Sequence, residues 1–244
     1  MRVAALYDIH GNLPALDAVL AEVARSGAEQ ILVGGDVLPG PMPRETLERL
    51  RNSPLPVDFI FGNGELAILA EADGMNSGVP KQYRESIRWN AAQLQPADRD
   101  WLAHWRATLR MHIGDLGRAL FCHATPNSPH EVFTRLTPEE LVLSLIGDVD
   151  ADLVVCGHTH MQFERRIGRV RIINAGSVGM PFGRPGAYWA LLGPEVELCY
   201  TSYDLEQAAS RIRRSSYPEA EQFADQNVLQ PPSEEKMLQA FSRI

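Results

Sequence analysis

Seven side chains able to bind a metal cation stand just beyond the ends of five apolar runs. The runs are Val3–Tyr7, Ile31–Gly34, Val57–Phe61, Ala119–Cys122 and Leu153–Cys156. They are followed by Asp8-Ile9-His10, Gly35-Asp36, Gly62-Asn63, His123 and Gly157-His158-Thr159-His160. Carboxylate oxygens, imidazole nitrogens and an amide oxygen suit Mn, Fe, Co, Ni or Zn better than Ca or Mg. A catalytic pair of ions sits about 3.5–4 Å apart and needs a shared ligand. A carboxylate is the natural bridge, because each of its oxygens can face one ion. Asp36 follows two glycines, where backbone can approach closely. Asp8 and His10 alternate by two, as do His158 and His160, so on a regular strand each pair shares one face. Singly, Gly-Asp is an ordinary turn sequence and Asp-x-His an ordinary strand end. Together, the five clusters point to one convergent site, because ligands of open α/β sheets bind beyond the carboxyl ends of strands.

The elements that must position these residues follow from pattern. Val3–Tyr7 is apolar enough for a buried parallel strand. Leu13–Ser26 carries Leu13, Leu16, Val19, Leu20 and Val23 at helical spacing, with Gly27 as a stop, and Ile31–Gly34 is the next strand. This β-α-β order predicts a parallel pair. Arg44–Arg51 predicts a helix and Val57–Phe61 a strand; Glu65–Trp105 predicts helices broken around Gly74–Pro80 and Pro96. Arg110–Ile113 and Arg118–Cys122 predict an antiparallel hairpin. Pro138–Ile146 predicts a helix capped by Thr137 with Glu140 at its third position. Beyond it come strands at Leu153–Cys156, Gln162–Arg166, Val170–Asn174, Tyr188–Leu192 and Val196–Tyr203. A helix over Leu205–Ser215 and a polar helical tail broken at Pro231-Pro232 close the chain. The expectation is one domain over residues 1–244, with a helical appendage from about 204.

At 244 residues the chain can bury a sizeable core without staples. A net charge of −8 argues against non-specific nucleic-acid binding. Cys122, Cys156 and Cys199 are widely spaced within strand-like runs. They read as thiols of a reducing compartment rather than a disulfide framework. No run reaches the roughly 18 apolar residues of a membrane span, and no signal region precedes the first strand. A cytoplasmic protein without a membrane partner is expected.

The motif order resembles that of the calcineurin-like metallophosphoesterase superfamily: Asp-x-His, Gly-Asp, Gly-Asn-His-(Asp/Glu), a later His, then Gly-His-x-His. Asn174-Ala175-Gly176-Ser177-Val178-Gly179 also resembles the Asn-Pro-Gly-Ser-Val turn of the small bacterial and archaeal phosphodiesterase branch. The resemblance implies a four-layer α/β/β/α sandwich of two mixed sheets flanked by helices. It implies two divalent transition-metal ions, Mn favoured. One would take Asp8, His10, Asp36 and His160, the other Asp36, Asn63, His123 and His158. A metal-bridging hydroxide would then attack a phosphate ester, with Asp36, Asn63 and His123 in the catalytic set. The superfamily's His after Asn63 is Gly64 here. General-acid help is worth about 10²–10⁴-fold, so its loss shifts the expectation toward phosphodiesters. Two alternatives stay open: a phosphomonoesterase, and a phosphate- or nucleotide-binding regulatory protein with reduced catalysis.

Other residues have two readings each. Asn12, near the ligands, is a phosphate donor or a helix cap. Arg184, in a Gly/Pro-rich loop, is a phosphate clamp or a solvated arginine. His130 is a substitute acid or a surface histidine. His104 and His112 have no metal-like context, and Ser177 lacks a nucleophile elbow. The Trp101–Trp105 pair at i, i+4 reads as packing.

Overall fold

The first strand, β1 (Val3–Leu6), carries no polar side chain, and both of its faces are covered. Val3 and Ala5 point into an apolar layer between two sheets, while Ala4 and Leu6 point into a second layer shared with helices. This is the period-2 logic of a strand buried on both sides. A computed structural model describes residues 1–242. After β1 come α1 (Leu13–Val23), β2 (Gln30–Val33), α2 (Pro43–Arg51) and β3 (Val57–Phe59). Helices α3 (Asn63–Ala72), α4 (Arg84–Gln93) and α5 (Pro96–Ala103) follow. The second half holds β4 (Thr108–His112), β5 (Arg118–Cys122), α6 (Glu139–Ile146), β6 (Leu153–Cys156), β7 (Phe163–Ile167), β8 (Val170–Asn174), β9 (Ala187–Leu192) and β10 (Val196–Thr201). It ends with α7 (Leu205–Arg213), α8 (Ala220–Phe223), a π-helical turn at Ala224–Leu229, and α9 (Glu234–Phe241).

Two mixed five-stranded sheets result, in the orders β10-β9-β1-β2-β3 and β4-β5-β6-β8-β7. β1, β2 and β3 run parallel, as do β5, β6 and β8. Phe121, Leu153, Val155 and Ile173 meet Val3, Ala5 and Leu32 between the sheets. Leu120, Cys122 and Val154 face α6 on the outside. The expected α/β/β/α layer order is therefore observed. The buried Tyr7 ties the sheets together by donating its hydroxyl to the Val155 carbonyl at 2.9 Å.

Several boundaries differ from the sequence reading. β4 starts two residues earlier than predicted and β7 one residue later. Pro138, not Thr137, is the N-cap of α6; Thr137 Oγ1 instead accepts the Thr134 N–H at 2.9 Å. The Trp pair packs as expected: Trp101 and Trp105 meet edge-on, with Phe59 against both. The C-terminal segment shares the first helical layer through Ala209, Ile212, Phe223 and Val228. Among the described residues no helix is long and apolar enough to cross a membrane. The three cysteines are free thiols.

Candidate metal centre

Asp8, Asp36 and all four imidazoles sit in loops where strands stop, and five of these six residues hold a left-handed backbone. The φ angles are 53° at Asp8, 48° at His10, 50° at Asp36, 64° at His158 and 58° at His160. The alternation argument is thereby corrected: Asp8 and His10 follow β1 and His158 and His160 follow β6, so their shared aim comes from the loop. A left-handed non-glycine residue costs on the order of 1–3 kcal/mol and clusters where function requires it. The loops are pinned by hydrogen bonds. Asp8 N–H donates to Gly35 O at 3.1 Å and His10 N–H to Asp36 O at 2.9 Å. Asp8 Oδ2 accepts the His158 N–H at 2.8 Å, joining the ends of β1 and β6. The turn at 174–179 serves the same purpose. Ser177 Oγ donates to the Asp8 carbonyl at 2.7 Å, and the Gly179 N–H donates to it at 3.0 Å.

Asp36 is held from below by Glu65, which the sequence alone marks only as the start of a helical stretch. The buried Glu65 carboxylate accepts the N–H groups of Asp36 at 2.9 Å, Leu38 at 3.0 Å and Gly62 at 2.7 Å. Its reach back to Gly62 is the capping-box geometry, which the Gly-Asn-x-Glu spacing could have signalled. Gly64 N–H donates to Asp36 Oδ1 at 2.7 Å. Gly64 lies within α3, not in a left-handed conformation. Glycine is required there by a close approach: a Cβ would lie 2.1 Å from the Leu38 carbonyl oxygen and 2.9 Å from Asp36 Oδ1.

The imidazoles are aimed by backbone carbonyls. Nδ1 of His10 meets Pro39 O at 3.1 Å, Nδ1 of His160 meets Met180 O at 2.7 Å, and Nδ1 of His123 meets Gly34 O at 2.9 Å. Each Nδ1 must carry the proton, so each Nε2 presents a lone pair. The two Nε2 atoms of His10 and His160 then face each other at 3.3 Å. Nε2 of His123 likewise faces Asn63 Oδ1 at 3.1 Å and Asp36 Oδ1 at 3.5 Å. Asp8 Oδ1 is buried without a hydrogen-bond partner, 3.3 Å from His160 Nε2. Electron pairs converge with too few protons to separate them, which is what a cation site requires. Two groups have the needed spacing: Asp8, His10 and His160, and Asp36, His123 and His158. Asp36 stands between them, with Oδ2 3.8 Å from His10 Nε2 and Oδ1 facing His123.

Electrostatics favour the neutral form at two imidazoles, whereas at His160 burial is outweighed by the Asp8 carboxylate, which raises it. Burial, then the charge of His160, pushes His10 down to about 3, and burial with His123 pushes His158 down to about 3. Both imidazoles are thus kept in the neutral form that binds metal. Burial, then the Asp8 carboxylate, pushes Asp36 up to about 8. Burial acts upward on Asp8 too, but the imidazoles of His160, His123 and His10 outweigh it and hold this carboxyl below the usual range.

The profile of the calcineurin-like phosphoesterase superfamily domain matches residues 1–195. The chain belongs to that superfamily. All seven ligand candidates of this phosphoesterase lie inside the matched stretch. An uncharacterized protein of Methanocaldococcus jannaschii is 27% identical over 241 residues, covering 89% of this chain and 94% of its own. Phosphodiesterase YfcE of Escherichia coli is 28% identical over 205 residues, covering 80% of this chain and 89% of its own. A metallophosphoesterase structure from Sphaerobacter thermophilus superposes with a TM-score of 0.73 at 25% identity, covering 93% of this chain and all of its own.

A cavity of about 410 Å³ opens over this phosphoesterase's ligand groups, with His10, Asp36, Asn63 and Gly64 at one end. Two residues expected to contact substrate, Asn12 and Arg184, do not line this cavity. Asn12 is buried and spent on structure: Oδ1 caps α1 by accepting the Ala15 N–H at 3.3 Å, and Nδ2 donates to Gly179 O at 2.9 Å. Arg184 lies over the Tyr200 ring at 4.1 Å and does not line the cavity. His130 is exposed on the surface and does not line the cavity. His104 and His112 are exposed on the surface.

Proposed function

We propose that the chain is a dinuclear metal-dependent phosphoesterase that hydrolyses phosphodiesters. The observation that supports it most is the pair of adjacent ligand groups divided by Asp36, with ring nitrogens turned inward by backbone carbonyls. Asp8, His10, Asp36 and His160 would hold one divalent ion; Asp36, Asn63, His123 and His158 the other. Bound there, two such ions neutralise charge on the phosphate oxygens and lower the pKa of the attacking water. The nitrogen and oxygen donors favour Mn, with Fe, Co, Ni and Zn as alternatives. Asp8 and Asp36 offset the charge of the ions, and the loop hydrogen bonds keep all ligands from moving as charge develops. Asn63, at the first turn of α3, would also contact the phosphate.

The preference for diesters rests on Gly64. The Leu38 carbonyl fills the space a side chain would need at this position, so no imidazole stands by to protonate a poor leaving oxygen. The similarity to a phosphodiesterase of E. coli points the same way. The test is to strip the protein, reload it with single metals, and compare bis(p-nitrophenyl) phosphate with p-nitrophenyl phosphate. Diester turnover exceeding monoester turnover supports the proposal. Metal-dependent phosphate binding without turnover of either would favour the regulatory binding reading instead.

A further inference from the structure

The cavity continues well past the ligand groups. A phosphate held at the ligand groups would fill only one end, and the whole volume falls in the range of about 300–1,000 Å³ typical of small-molecule sites. Its far wall comes from the segment after α7: Tyr217, Gln222, Phe223, Gln226, Asn227 and Met237 line it. This segment lies outside the residues 1–195 that the superfamily shares. It is fastened as a wall, because Gly183 N–H donates to Pro232 O at 2.8 Å and Arg135 pairs with Glu234 at 2.7 Å.

Resting on the phosphodiesterase reading, we infer that this wall is the subsite for the second arm of the diester, and that the arm is an uncharged, nucleoside-sized group. Tyr217, Phe223 and Phe182 offer aromatic surface, on which a flat ring packs. Gln222, Gln226 and Asn227 offer amides that make no hydrogen bond among the described residues. An amide donates and accepts side by side, which matches the edge of a base. Gln226 and Asn227 stand next to each other within the π-helical turn, a local distortion that frequently marks a functional site. Charge excludes an anionic arm. Among the described residues no Lys or Arg lines the cavity, and Glu219 is the one charged residue away from the ligand groups. A second phosphate there would be unpaired beside a carboxylate.

Three substrates sharing one leaving group test this: methyl p-nitrophenyl phosphate, thymidine 5′-(p-nitrophenyl phosphate), and the latter carrying a 3′-phosphate. Only the second arm differs, so the chemistry is constant. The metal-loaded protein should give a kcat/KM for the thymidine ester about tenfold or more above that for the methyl ester, from two neutral hydrogen bonds and ring packing. The 3′-phosphate should erase the gain. In a Gln222→Ala/Gln226→Ala variant the thymidine-to-methyl ratio should fall several-fold toward one; both residues are exposed, and circular dichroism checks that the fold is kept. A second readout is independent of turnover: calorimetry of thymidine binding to the metal-free protein, present in the natural chain and lost in the variant. Equal ratios in both proteins, or no thymidine binding, overturn the inference. Thymidine binding without hydrolysis of any ester supports the subsite and sinks the phosphodiesterase reading instead.

Discussion

Replacing Gly64 by alanine puts a Cβ 2.1 Å from the Leu38 carbonyl oxygen and 2.9 Å from Asp36 Oδ1. The backbone at this position is helical, so alanine brings no dihedral strain and gains up to about 1 kcal/mol of helix propensity. Overpacking against backbone costs about 1–3 kcal/mol, so the variant loses up to about 2 kcal/mol net. The larger effect falls on the site. Cβ and oxygen must separate by roughly 1 Å to reach an ordinary contact near 3.3 Å. Leu38 and Asp36 share one loop, and Glu65 binds the N–H groups of both. The shift therefore passes to Asp36, and a displacement of about 1 Å can cost about 100-fold in rate. The assay is diester turnover at saturating metal, with urea unfolding in parallel. Gly64→His should fare no better, since its Cβ meets the same carbonyl before the imidazole is placed. A Gly64→Ala protein with natural stability, metal content and turnover would refute this account of why glycine stands there.

Asp36→Asn should abolish most diester turnover and release metal, while circular dichroism stays unchanged, because the strand cores and not this carboxylate hold the sheets. Glu65→Gln should lower stability by about 2–3 kcal/mol in urea titration, since an amide nitrogen turned toward N–H donors leaves buried groups unpaired. Adding Mn to the stripped protein should raise Tm progressively with concentration, as ligands that bind only the folded state do; an unchanged Tm contradicts a folded-state site. At the surface, hydrogen bonds from Arg118 hold Asp152 down to about 2 from 3.8. A lowered carboxyl pKa stabilises above its unfolded value and loses that effect as pH falls through the folded value. Asp152→Asn should thus reduce Tm at pH 7 and have little effect at pH 2.

Those parts of the fold that depend on local pattern were legible. β1, β6 and the part of β5 after Arg118 are covered on both faces, so they are apolar without interruption, and the polar residues that end them mark the site edge. The donor types at those ends were legible as well, which is why the ligand candidates converge. The means of convergence was not. Residue type only weakly signals a left-handed φ at Asp8 or His158, and hydrogen bonds from distant segments such as Ser177 hold it. Asn12 looked available because a cap and a phosphate donor are the same residue type at the same place. Gly64 was legible only as a missing histidine; the close approach of the Leu38 carbonyl that requires glycine there is a long-range contact. The wall formed by Tyr217–Met237 depends on long-range packing that the polar tail of the sequence does not announce.

Metal stoichiometry and position bear most directly on the central claim. Elemental analysis of the Mn-loaded protein, with anomalous scattering from its crystals, should count two ions per chain. One should lie among Asp8, His10 and His160, the other among His123, His158 and Asn63, with Asp36 touching both. A single fully occupied four-coordinate ion, with His123 and His158 free, would contradict the dinuclear account.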